Sequence, residues 1–173
     1  MGGSYTIGIS GLKEGRHKFE LEIDDKFFEN FEESEIKEGS LIVDIELEKR
    51  SSHMDLLIRI SGKVKVSCDR CLEMFFYPLR CENRLLVKFG KRIGGEDPDI
   101  ISLTADEHEL DLQQHLYEYI HLALPIKRVH PDDPDGNSTC DPAMLKKLGE
   151  LLVEEEDEND PRWDELRKLI NDN

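Results

Sequence analysis

Long apolar runs are missing from this chain of 173 residues. No stretch approaches the ~20 residues that a helix needs to cross a bilayer, which argues against a membrane protein. Cysteine is scarce: four residues are too few for the disulfide framework of a small secreted domain. The opening Met1-Gly2-Gly3-Ser4-Tyr5 lacks the basic and apolar segments of a secretory leader, so a cytoplasmic protein is expected. Catalytic signatures are absent too. There is no G-x-S-x-G, no P-loop and no H-E-x-x-H, and the histidines are scattered without a paired nucleophile. Clustered carboxylates fall in exposed runs, poor places for tuned acid–base chemistry, so the protein is not expected to be an enzyme.

Positive charge is in short supply overall, with 23 Lys and Arg against 39 Asp and Glu and a net charge of −16. The mean hides a polarised layout. Residues 1–48 carry −8, residues 49–92 carry +7, and residues 93–173 carry −15. Binding depends on the local field more than on the total, so the central basic block remains a candidate for contact with a polyanion.

What is present reads as strands followed by helices. Phe19, Leu21 and Ile23 alternate with charged neighbours, and Asp24 can cap a short helix carrying Phe27, Phe28 and Phe31 that ends near Gly39. Leu41, Val43, Ile45 and Leu47 alternate next, and Leu56, Ile58, Ile60, Val64 and Val66 after them. A two-residue turn within 50–52 puts both sets on one face of a hairpin. Phe75, Tyr77, Leu79, Cys81, Leu85, Val87 and Phe89 form a third inward stripe, and 100–110 holds one or two short strands. Asp111 caps a helix with Leu112, Leu116, Tyr119, Ile120 and Ala123 on its apolar face, stopping at Pro125. Asp141-Pro142 and Asp160-Pro161 each pair an N-cap with proline at the first helical position. The expected fold is α+β: an antiparallel β-sheet or partly open barrel, with helices from the C-terminal third packed on it. Residues 1–153 form one domain, and 154–173 an acidic linker with a tethered amphipathic helix.

Cys68-Asp69-Arg70-Cys71 falls between two strands, where a tight turn can present two thiolates to one metal. Zinc sites commonly need four ligands. Candidates to complete the set are Cys81, Cys140, His130, His115, His121, His53, His17 and His108. Cys81 lies ten residues along a predicted strand, some ~30 Å away if that strand is straight. Cys140 and His130 share the Pro-, Asp- and Gly-rich loop 125–140, which can fold back, giving a structural zinc set of Cys68, Cys71, His130 and Cys140. Two packed cysteines without metal are the competing reading.

Outward positions flanking the knuckle are basic: Arg59, Lys63 and Lys65 before it, Arg80, Arg84 and Lys88 after it, with Arg70 inside it and Phe76 among them. Like charges on neighbouring strands repel, so they call for a counter-charge from the chain's own acids or from phosphate. Mixed cationic and aromatic side chains on a sheet are one way of holding RNA.

With these pieces placed, the sequence resembles the YceD family, the large ribosomal RNA subunit accumulation proteins. The matching elements are Cys68-Asp69-Arg70-Cys71-Leu72 after a valine-rich strand, and Leu122-Ala123-Leu124-Pro125-Ile126-x-x-Val129-His130 leading to Cys140. The terminal Asp160-Pro161-Arg162-Trp163-x-x-Leu166-x-x-Leu169 also matches, so the likeness covers 50–173. It implies a bacterial or organellar, non-enzymatic factor needed for 23S rRNA processing or accumulation and large-subunit assembly. An α+β fold around an antiparallel sheet is implied as well. Family members vary at the cysteines, which makes any metal a stabiliser. The implied partners are 23S rRNA or the precursor large subunit; the basic face read from the residues is the RNA-facing candidate, and no membrane is expected. The alternative is an acidic adaptor or chaperone for a basic ribosomal protein, without direct RNA contact.

Overall fold

The computed structural model describes residues 5–90, 100–104 and 106–152. Ten elements follow one another: β1 (Thr6–Gly8), β2 (Gly15–Ile23), α1 (Asp25–Glu29), β3 (Gly39–Lys49), β4 (His53–Ser67), β5 (Met74–Phe89), β6 (Ile100–Leu103), β7 (Glu109–Asp111), α2 (Gln113–Leu122) and α3 (Pro142–Leu151). Five strands form an open sheet in the order β2-β3-β4-β5-β6, and β1 and β7 make a separate antiparallel pair. The expected α+β class is thus observed. Strand pairing is antiparallel throughout the large sheet except at β6, which runs parallel to β5.

The alternation in the sequence fixes which way each strand faces. β3 and β4 pair Ile45 with Ile58 and Val43 with Ile60, and are joined through Arg50, whose N–H donates to the His53 carbonyl, and the turn residues Ser51 and Ser52. β4 and β5 then pair Ile58 with Asn83, Leu56 with Leu85 and Met54 with Val87. Leu41, Val43, Ile45, Leu47, Met54, Leu56, Ile58, Ile60, Val64, Leu85 and Val87 are all buried on one face. Burying each such side chain contributes about 1.5–3 kcal/mol before the entropy of ordering it. Gly62 permits the close approach of β3: its φ is 151°, and a Cβ there would meet the Ser40 carbonyl and sit 2.8 Å from the Leu41 Cα.

Helices close over this face. Asp24 accepts from the Lys26 N–H and starts α1, which places the wholly buried Phe27 and Phe28 in the core but ends by Asn30, well short of Gly39. Turns and extended chain fill the interval. Asp111 accepts from the Gln113 N–H at the start of α2, whose Leu116, Tyr119 and Ile120 are buried. Asp141 caps α3 through the Ala143 N–H, with Pro142 opening the helix. α3 has no buried residue; its Met144 and Leu145 pack instead on a small second cluster made by Cys68, Cys71 and Cys140. No helix among the described residues is long and apolar enough to cross a membrane. The acidic linker and terminal helix expected over 154–173 lie outside the described residues.

Candidate metal centre and outer sheet face

The turn between β4 and β5 is built around the first two cysteines. The Cys68 N–H donates to the Glu73 carbonyl and the Leu72 N–H to the Cys68 carbonyl, both at 2.9 Å. Loop 125–140 returns to this turn by a reciprocal clasp: the Asp69 N–H donates to the Arg128 carbonyl at 2.7 Å, and the Arg128 N–H to the Asp69 carboxylate at 2.6 Å. Arg128 also donates to Glu35 at 2.8 Å, tying in the segment before β3. His130 lies against the Phe75 ring, with centroids 4.4 Å apart.

These contacts bring Cys68, Cys71, His130 and Cys140 together, with their ligand atoms all within 4.8 Å of one another. Cys68 Sγ lies 3.6 Å from Cys140 Sγ, and His130 Nδ1 lies 3.4 Å from Cys71 Sγ and 3.6 Å from Cys140 Sγ. A tetrahedron with metal–sulfur bonds of ~2.3 Å has edges of roughly 3.8 Å, so the separations fit one ion. The donor chemistry agrees, since three thiolates and an imidazole suit zinc. The group can hold a metal such as zinc. Cys81 stands apart on β5, half-buried and opposite Ile60.

Electrostatics prepare the thiolates. Burial pushes the Cys68 thiol up, but backbone N–H groups of Cys71, Arg70 and His130 outweigh it, and the value falls to about 6. Burial also raises Cys140, yet Arg70 and Ser138 bring it below the ordinary thiol value. Cys71 is held above that value, chiefly by burial. Arg70 donates from Nε to Cys140 Sγ at 3.2 Å and from Nη2 to Ser138 Oγ at 2.6 Å. A divalent ion with three thiolates would carry one net negative charge, which this guanidinium offsets. Arg70, read from the sequence as part of the basic face, therefore turns to the cysteine cluster. Its place between the two cysteines was the only signal for that role. Asp69 shared that signal; Glu35 and Arg128, which clasp the loop with it, had none.

Register places the remaining basic residues on the outer face of β4 and β5. Arg84 lies opposite Leu57, Arg80 opposite Ser61, Lys63 opposite Pro78, Lys65 opposite Phe76, and Lys88 opposite His53. They are not electrostatically equal. Arg59 is gripped by Glu82 at 2.8 Å and Glu46 at 3.3 Å, and Lys65 by Glu38 at 2.7 Å. Lys63, Arg80, Arg84 and Lys88 are exposed and have no ion-pair partner among the described residues. Lys63 Nζ sits 4.8 Å above the Phe76 ring, and that ring is 48% exposed. Beside Arg84 the face hollows into a groove of about 830 Å³ over Leu57, Leu86 and Ile100.

A family model described as "Large ribosomal RNA subunit accumulation protein YceD" matches residues 56–170, which takes in most of β4, the knuckle, β5 and the loop 125–140. No curated protein and no solved structure matches the chain significantly.

Proposed function

This chain belongs to the YceD family, and from that premise we propose that it is a non-enzymatic factor for large-subunit assembly that contacts rRNA through the outer face of β4 and β5. The family's printed name ties it to accumulation of large-subunit ribosomal RNA. The observation that carries RNA contact is the grouping of Lys63, Arg80 and Arg84 on one sheet face beside the exposed ring of Phe76. Cations with no ion-pair partner among the described residues can neutralise phosphates, and an aromatic among them offers a base something to stack on. Arg80 and Arg84 stand about 13 Å apart along β5, a spacing suited to separate phosphates of one strand.

Zinc on Cys68, Cys71, His130 and Cys140 would hold loop 125–140 and α3 against the sheet end and supply no chemistry beyond that restraint. The basic face is then a surface on a stiffened hairpin. Binding of a labelled single-stranded RNA, followed by fluorescence anisotropy, tests the reading. Replacing Lys63, Arg80 and Arg84 together by Gln should weaken binding by at least ~tenfold at moderate salt. Arg59→Gln, whose charge Glu46 and Glu82 already engage, should change it far less. Equal affinity in the triple variant and the parent would defeat the proposed contact face.

A further inference from the structure

β2 ends the large sheet with an open edge. Over nine residues, Gly15–Ile23, it pairs with β3 on one side, and no main-chain group among the described residues bonds to the other. Edges of this length template pairing with another chain unless something blunts them. Charged side chains can do so, and Arg16, Lys18, Glu20 and Glu22 all point outward here. Their order has a property that blunting does not need: both cations precede Phe19 and both anions follow it.

We propose that β2 pairs antiparallel with β2 of a second copy of this chain, about a two-fold axis through Phe19. In an antiparallel two-fold pairing the residue on the axis faces itself, and residues equidistant from it face each other. With Phe19 on the axis, Lys18 faces the partner's Glu20 and Arg16 faces the partner's Glu22, each contact occurring twice. Any other centre from Arg16 to Glu22 sets like charges against each other. Centring on Lys18 or Glu20 opposes that residue to itself, and moving one place further opposes Arg16 to Lys18 or Glu20 to Glu22. A strand charged only to repel copies of itself would carry one sign throughout.

Two further observations fit. Glu20 lies directly opposite Asp44 within its own sheet, a like-charge pair with no cation bridging it among the described residues. The partner's Lys18 would arrive beside it. On the inner face His17, Phe19 and Leu21 are only half-buried, and the pairing lays Phe19 on the partner's Phe19 and Leu21 on the partner's His17. Lys18 and Arg16 remain 82% and 88% exposed despite their contacts with Glu46 and Glu48, so both can be shared with the second copy. Pairing makes the two five-stranded sheets continuous and leaves the β4–β5 faces open on both copies.

Sedimentation velocity on the full chain tests this through charge reversal. The parent protein should be a dimer in a concentration-dependent equilibrium. Lys18→Glu and Glu20→Lys should each raise the dimer dissociation constant roughly tenfold or more, since two attractive contacts become repulsive. Mixing the two variants should restore the dimer, because the first then carries Glu at both 18 and 20 and the second Lys at both, so each contact again joins opposite charges. The double reversal in one chain, with Glu at 18 facing Lys at 20 in both directions, should do the same. Arg16→Glu and Glu22→Arg repeat the test at the outer pair if one variant fails to fold. A parent that stays monomeric, a dimer indifferent to every single reversal, or mixtures that remain monomeric would each overturn the pairing.

Discussion

Immediately after the second cysteine of the knuckle, the chain bends through a conformation that favours glycine. Leu72 has φ 65° and is the only described non-glycine residue with positive φ, yet its side chain is 69% exposed. The left-handed backbone costs an L-residue about 1–2 kcal/mol, and an exposed leucine recovers little of that by burial. Leu72→Gly should therefore stabilise the protein by up to ~1 kcal/mol, partly offset by the greater freedom of glycine in the unfolded chain. The expected result is a rise of a few degrees in the melting temperature, roughly 2–4 °C for a chain of this size. Leu72→Ala keeps the Cβ and should show no such gain, so equal stabilisation by both variants would place the effect elsewhere. The same contrast between residue type and surroundings separates the basic residues. Arg59 and Arg80 look alike as outward arginines in the sequence, and only the register reveals that Glu46 and Glu82 flank the first.

Among the elements, α3 is the most dependent on the cysteine cluster. It buries no residue of its own, and Met144 and Leu145 rest on Cys68, Cys71 and Cys140 while the main core lies elsewhere. Removing bound metal should thus free residues 128–151 and leave β3, β4 and β5 folded. Hydrogen exchange after chelation should accelerate in that segment by about tenfold or more, with little change in the strands. The Cys68→Ser variant should lose metal stoichiometry and show the same pattern. Acid should act in the same direction as a chelator. Metal needs deprotonated ligands, and Cys71, pushed up by burial, must lose a proton on binding, so affinity falls as pH falls. Below about 6 Cys68 takes a proton too and the dependence steepens, which a competition titration with a chromophoric chelator would measure. Much of this was legible beforehand. Alternation identified β2 through β5, strands of 9 to 16 residues, and their inward faces, except that Phe89 at the end of β5 is exposed; Asp141-Pro142 marked the start of α3. The four ligand candidates followed from the knuckle and from a loop whose composition lets it return. Strands β1 and β7 have three residues each and β6 has four, too few for a periodic signal, and β6 pairs in parallel across a long connection. The direction of Arg70 depends on where the returning loop lies, which local patterning does not encode.

For the molecule as a whole, the proposed RNA contact raises the question of how a chain of net charge −16 would hold a polyanion. The answer lies in geometry on the scale of the screening length, about 8–10 Å at physiological salt, beyond which exposed charges interact weakly. Within such a radius, the surroundings of an outward cation matter more than the sum over the chain. Arg80 and Arg84 flank Glu82 on one strand, but Arg59 engages that carboxylate at 2.8 Å, so the arginine pair is partly relieved of its acidic neighbour. Long-range repulsion from acidic regions should therefore slow association at low salt without abolishing it, while local contacts set the affinity. Salt then has two opposing effects, and their balance is measurable. Release of counterions from three or four neutralised phosphates predicts that log affinity falls with log salt at a slope of about −2 to −3 for single-stranded RNA. Each of Lys63, Arg80 and Arg84 neutralised by Gln should reduce that slope by about 0.7, whereas Arg59→Gln should leave it nearly unchanged. A slope near zero with undiminished affinity would mean that the RNA is held without these cations, and that the outer face of β4 and β5 serves something other than phosphate.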